Sequence, residues 1–202
     1  MLKLLVSVFF SLFLISRPAE SADTLRKLPA PDTTGGKPLM QALNGRQSLK
    51  DFSSAALPDK VLGEILWAAW GVNRSDGKHT IPTSMNKQDL TVYVLLADGA
   101  WKYNPADHSL ELVTAKDIRP LLNTQDYVKD APLQLVYAGE RSDSKNALMH
   151  AGSAYQDVGL YAASAGLHNV VRGYFHAPAV AEALNLPAAQ EVLISQAVGL
   201  PK

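Results

Sequence analysis

Arg46-Gln47-Ser48-Leu49-Lys50-Asp51-Phe52 places two cations and a hydroxyl on alternate positions of one short segment. On an extended backbone alternate side chains share a side. Arg46, Ser48 and Lys50 can therefore converge on a single anionic ligand rich in hydrogen-bonding groups. Arginine offers a bidentate fork suited to phosphate, and serine a compact donor. Taken alone, the same residues also read as solvated charges on a loop.

Other chemistries find less support. His79, His108, His150, His168 and His176 are scattered, without the i, i+4 pairing or acidic companions of a zinc site. No Gly-x-Ser-x-Gly nucleophile elbow is present. Neither a P-loop nor a Gly-x-Gly-x-x-Gly turn follows a strand signal. A phosphate-bearing ligand would have to be gripped by dispersed side chains rather than by a nucleotide-binding loop.

The segments that must position these residues alternate between helix and strand signals. Pro38 to Leu43 suggests a short helix ahead of Arg46. Pro58 opens a second helix, with Asp59 favourable at its N-terminus and Val61, Leu62, Ile65, Leu66, Ala69 and Trp70 at helical spacing before Gly71. Leu90–Leu96 reads as a strand, Asp98-Gly99 as a hairpin turn, and Ala100–Tyr103 as the return strand. Leu110–Val113 adds a strand and Ala115–Leu122 a helix. Leu133–Ala138 is an apolar strand, followed by a long helix over Ser144–Ala165 closed by Gly166. Val170–Phe175 and Val192–Val198 read as further strands, with a helix between them from Pro178 to Asn185. Strands and helices without strict alternation predict an α+β domain, a mixed or antiparallel sheet packed by helices.

The 202 residues, 47% of them hydrophobic, suit one domain with a sizeable core, and equal numbers of basic and acidic residues argue against bulk binding of nucleic acid. Any anion site must be local. Residues 1–22 read as a cleaved secretory signal: a basic start, an apolar run from Leu4 to Ile15, and small residues around Ala19-Glu20-Ser21. The run is shorter than the ~20 residues of a spanning helix, although an uncleaved anchor is the lesser alternative. There is no cysteine to carry a lipid anchor, a disulfide or thiol chemistry. A periplasmic or secreted protein is expected, with residues 23–37 as an extended N-terminal arm and 38–202 as the folded domain.

Four stretches together resemble the nitroreductase family of flavin enzymes, most closely the branch that includes thiazole- and oxazole-forming dehydrogenases. They are Arg46 to Phe52, Ile65 to Asn73, Pro82-Thr83-Ser84-Met85-Asn86-Lys87-Gln88, and Gly159 to Phe175 with Gln196-Ala197-Val198-Gly199-Leu200-Pro201-Lys202. The resemblance implies an α+β homodimer with FMN at the subunit interface. It assigns Arg46, Gln47 and Ser48 to the phosphate and ribityl end of FMN. Lys50 would face the polar edge of the ring, where charge appears on reduction, with Asn86 and Gln88 hydrogen-bonding that edge. Gly173 would let backbone approach the flavin, and Arg172 and Lys202 remain for phosphate neutralisation. The implied activity is hydride or electron-pair transfer between flavin and a small organic substrate. The electron donor would be NAD(P)H or, outside the cytoplasm, a redox protein or quinol. No residue is assigned as catalytic.

Departures from the family pattern matter too. Gln47 stands where a second arginine is usual, and Met85 and Lys87 stand where smaller residues are usual. The alternative is a secreted protein of the same fold that serves as a binding module or scaffold and has lost the flavin.

Overall fold

In the computed structural model, which describes residues 24–202, branched and aromatic residues form one antiparallel sheet. Its strands are β1 (Leu25–Lys27), β2 (Thr91–Leu96), β3 (Gly99–Asn104), β4 (Ser109–Thr114), β5 (Leu133–Glu140), β6 (His168–Arg172) and β7 (Gln190–Gly199). They lie in the order β1-β4-β3-β2-β5-β7-β6, every neighbouring pair antiparallel. The helices are α1 (Leu39–Gly45), α2 (Asp59–Trp70), α3 (Ser144–Ala165) and α4 (Ala177–Ala183). This is the α+β arrangement expected, with the sheet antiparallel throughout. The signal segment, 1–22, lies outside the described residues.

Alternation along the central strands explains why both faces are covered. Val92 and Val94 of β2, with Leu133, Leu135 and Tyr137 of β5, face α2 and α3. Tyr93 and Leu95, with Val136 and Ala138, face the opposite way and pack against Val180 and Leu184 at α4 and against Ile118 and Leu122. Period-2 strands buried on both sides read as nearly continuous apolar runs, and β2 and β5 do so. On α2, Leu62, Ile65, Leu66, Ala69 and Trp70 form the buried stripe. On α3 the stripe is Ala147, Ala151, Ala154, Val158 and Ala162, and its small side chains let the long helix sit close to α2 and the sheet.

Two local readings are corrected. Residues 115–122 do not form an α-helix. Only a 3₁₀ turn appears, over Arg119–Leu122, because Pro120 lacks an N–H and Asp117 takes both the backbone and side-chain N–H groups of Arg119. β6 starts at His168 and ends at Arg172 rather than running from 170 to 175. The arm contains an edge strand, β1, paired with β4 of the same chain. It is further fastened by Leu28 N–H to His108 O (3.1 Å), His108 Nε2 to Pro29 O (2.9 Å) and Lys37 N–H to Ser164 Oγ (2.7 Å). Gly166 caps α3 in the left-handed region, as its sequence position suggests. Among the described residues no helix is long and apolar enough to cross a membrane.

Candidate functional site

Helix α1 ends at Gly45, and Arg46 takes an extended conformation, so the 46–52 segment begins where the helix stops. Leu49 N–H donates to Asn169 O (2.9 Å), tying the segment to the outer edge of β6. It then crosses the end of β7, where Phe52 bridges Pro201 and Ser53 N–H donates to Leu200 O (2.9 Å). Arg46 lays its aliphatic stem over Gly159 of α3. A Cβ on that glycine would lie 3.6 Å from Arg46 Cγ and Cδ and from Asn169 Oδ1. Beneath it Tyr137 Oη donates to Gln196 Oε1 (2.7 Å), and Gln196 Nε2 donates to Asn169 Oδ1 (3.2 Å), a buried polar base for the site. Arg46, Gln47, Ser48 and Lys50 are all exposed. Among the described residues their side chains have no hydrogen bond or ion-pair partner.

Lys50 is steered by an aromatic ring. Its Nζ lies 4.8 Å from the centroid of Tyr127, and the Arg172 guanidinium carbon lies 5.9 Å from the same centroid. Tyr127 is oriented in turn by its hydroxyl, which donates to Gln125 Oε1 (2.7 Å), the atom that also accepts from Arg172 Nε (3.1 Å). Arg172 is only 4% exposed. Its other donors go to Leu122 O (2.7 Å), Thr124 Oγ1 (2.8 Å) and Tyr174 O (3.3 Å). Its guanidinium thus braces the 122–125 loop against the chain leaving β6, with no acid among the described residues paired to it. Gly173 is exposed next door, and a Cβ there would meet nothing within 4 Å. Lys202 Nζ is 3.4 Å from Asp130 Oδ2, and Lys50, Tyr127, Asp130 and Lys202 border one open cleft of about 380 Å³.

The other polar segment, 82–88, is held in an uncommon shape. Met85, Asn86 and Gln88 have φ of 50°, 55° and 49°, in the left-handed region that costs a non-glycine residue about 1–3 kcal/mol. Its ties are specific. Ser84 N–H donates to His150 Nε2 (2.7 Å), His150 Nδ1 meets Asp89 Oδ1 (2.8 Å), and Gln88 Nε2 donates to Asn86 Oδ1 (3.1 Å). Lys87 bonds Asp143, which holds the lysine ammonium above and the aspartate carboxyl below its ordinary range. Met85 at the tip is 82% exposed.

The structure therefore gathers Arg46, Gln47, Ser48, Lys50, Arg172 and Gly173 around β6 and anchors Asn86 and Gln88 elsewhere. The anchors, Gly159 for Arg46 and His150 for the loop, are nine positions apart on α3. At 3.6 residues per turn and 1.5 Å rise, they lie about 13 Å apart along the axis and on opposite flanks of the helix. One chain thus presents two separate polar segments on opposite flanks of α3. Tyr127, His150 and Asp89, which orient the site residues, carry no signal in the sequence: Tyr127 meets Lys50 only through the fold, and so do His150 and Asp89, across 61 positions. Among the described residues no group of three or more histidines or acids is placed to hold a metal ion.

Comparison with known proteins identifies the architecture. Residues 43–200 match the model described as the nitroreductase family. A nitroreductase homologue of Methanocaldococcus jannaschii is 28% identical over 167 residues, 73% of this chain and 84% of the relative. The crystal structure of a nitroreductase homologue from Ralstonia eutropha superposes with a TM-score of 0.85 at 37% identity, covering 91% of this chain and 92% of that one. A chain of the Escherichia coli microcin synthetase McbBCD complex, solved with truncated pro-MccB17 bound, shares the fold at a TM-score of 0.69 and 20% identity, over 77% of this chain and 69% of that one.

Proposed function

The chain belongs to the nitroreductase family, and on that premise we propose that it is an exported FMN-dependent oxidoreductase working as a homodimer on a small organic substrate. The observation that supports this most is the division of the cradle. Arg46, its stem on one flank of α3, begins an exposed segment in which Arg46, Ser48 and Lys50 have no hydrogen-bond or ion-pair partner among the described residues, and a preorganised amide loop is anchored on the other flank. A ligand that needs both is served by two copies of the chain, each completing the half-cradle of the other.

The residues fit FMN. The Arg46 fork and Ser48 hydroxyl have the donors that a phosphate and polyol require, and Gln47 adds an amide where a second charge would be stronger. Lys50, held against Tyr127, presents a cation to a ring edge, and Asn86 with Gln88 supplies amides to the same edge. The open space beside Gly173 admits a flat ring against backbone. Lys202 adds positive charge. FMN when bound supplies hydride or electron-pair transfer, so the protein's part is binding, orientation and electrostatics. With export, the electrons would come from a redox protein or quinol in place of NAD(P)H.

The test is the absorbance spectrum of the purified native protein, with mass determination of what denaturation releases. A flavin spectrum, FMN released at one per chain and a dimer by sizing are expected. Colourless protein that takes up no added FMN refutes the proposal. It would favour a flavin-free scaffold, for which Gln47 is the feature that speaks.

A further inference from the structure

We infer that His150 is the positioning residue of the 83–88 loop: a neutral imidazole, locked in one tautomer, whose bare Nε2 accepts the Ser84 N–H and so fixes where Asn86 is presented. The inference rests on the reading that this loop meets the cofactor.

The donor assignments leave one arrangement. A backbone N–H can only donate, so Nε2, 2.7 Å from Ser84 N, holds a lone pair. The proton of the ring is then on Nδ1, donated to Asp89 Oδ1 at 2.8 Å. A carboxylate on one ring nitrogen is the usual means of fixing the state of the other. Both side chains are nearly sealed from solvent, 5% exposed for His150 and 8% for Asp89, so water does not compete for either bond.

The loop needs such a tie. With Met85, Asn86 and Gln88 in left-handed conformations, its shape persists only where contacts over-determine it. Gln88 N–H to Thr83 Oγ1 is internal to the loop, and Lys87 to Asp143 is a surface pair. The bond to His150 is the tie that reaches the loop from the packed face of α3, and it is made one residue before the first left-handed position.

Two substitutions in the full chain separate the ring's bonds. His150→Gln places an amide where Nε2 stood and can accept from Ser84. His150→Asn reaches only as far as Nδ1 and can serve Asp89 alone. Hydrogen exchange at the Ser84 amide is expected to quicken about tenfold in H150N, the factor carried by one lost hydrogen bond of typical strength, and to stay within about threefold of wild type in H150Q. FMN affinity should fall in the same order. Equal exchange in the two variants overturns the inference. Should neither variant fold, the wild-type chain still decides. A long-range 1H–15N spectrum must show Nδ1 protonated and Nε2 bare at neutral pH, and an Nε2–H tautomer or an imidazolium overturns the assignment. If exchange at Ser84 follows expectation while wild type takes up no FMN, the loop anchor stands and the cofactor reading falls.

Discussion

Gly173→Ala separates the cofactor reading from stability. A methyl at this exposed position meets no atom within 4 Å, and the residue is not among those with positive φ. Folding alone should therefore tolerate alanine. Restricting the unfolded chain is worth about 0.4–1 kcal/mol where the native conformation suits the new residue, so the apoprotein should be as stable as wild type or slightly more so. The flavin reading gives the opposite result for binding. If a ring lies against the backbone here, the methyl occupies its contact surface, and overpacking of this kind costs about 1–3 kcal/mol. That is roughly a 5- to 150-fold rise in the Kd for FMN. Urea denaturation of the apoprotein and titration with FMN followed by flavin fluorescence measure the two sides. Unchanged FMN affinity alongside unchanged stability would refute the placement of the cofactor beside Gly173. Loss of both would show that the space is structural.

Other substitutions probe the frame of the site. Arg172→Ala removes the guanidinium bonds to Leu122 O and Gln125 Oε1, which keep the Thr124 N–H and the Tyr127 hydroxyl as donors, and should destabilise the chain by about 2 kcal/mol in urea melts; Arg172→Lys should recover only part of this, because an ammonium cannot reproduce the fork. Gly63→Ala would put a Cβ 3.0 Å from Pro29 O and from His108 Nε2. Exchange of the Leu28 amide should quicken while global stability moves by no more than about 1 kcal/mol, and unchanged exchange would show that the arm docks independently of that close approach. Asp157, half-buried on α3, has its carboxyl pushed up to about 6 by burial. Between its ordinary value of 3.8 and about 6 the native state holds more protons than the unfolded state, so stability falls as pH rises through that window. Asp157→Asn should therefore stabilise by about 1 kcal/mol at pH 7.5, after allowance for solvent screening, and by little at pH 4. Equal thermal shifts at both pH values would contradict this account.

What the sequence reveals depends on how local the cause is. The α2 stripe, the Asp98-Gly99 hairpin and the Gly166 cap were legible because their determinants lie within a few residues. β1 was not, since Leu25, Arg26 and Lys27 have no apolar alternation and become a strand only by pairing with β4, some 85 residues on. Residues 115–122 kept the composition of a helix, but Pro120 and the Asp117–Arg119 contacts turned the chain instead. Within the site, residue types gave Arg46, Ser48 and Lys50 together, and the fold shows the stem of Arg46 on α3 with the ammonium of Lys50 on Tyr127. Arg172 could be noticed as a cation inside a strand. That its hydrogen bonds brace a loop follows only from where residues 122–125 come to rest.

The sheet order has a consequence for assembly during synthesis. β7 lies between β5 and β6, so of the strands described the one latest in sequence joins those two. Until residues 190–199 leave the ribosome, β6 has no neighbour and the Arg46 segment has no finished edge to lie along. Contacts that span much of the chain form slowly, so the nascent polypeptide should stay unlocked, and the pocket unformed, until β7 slots into place.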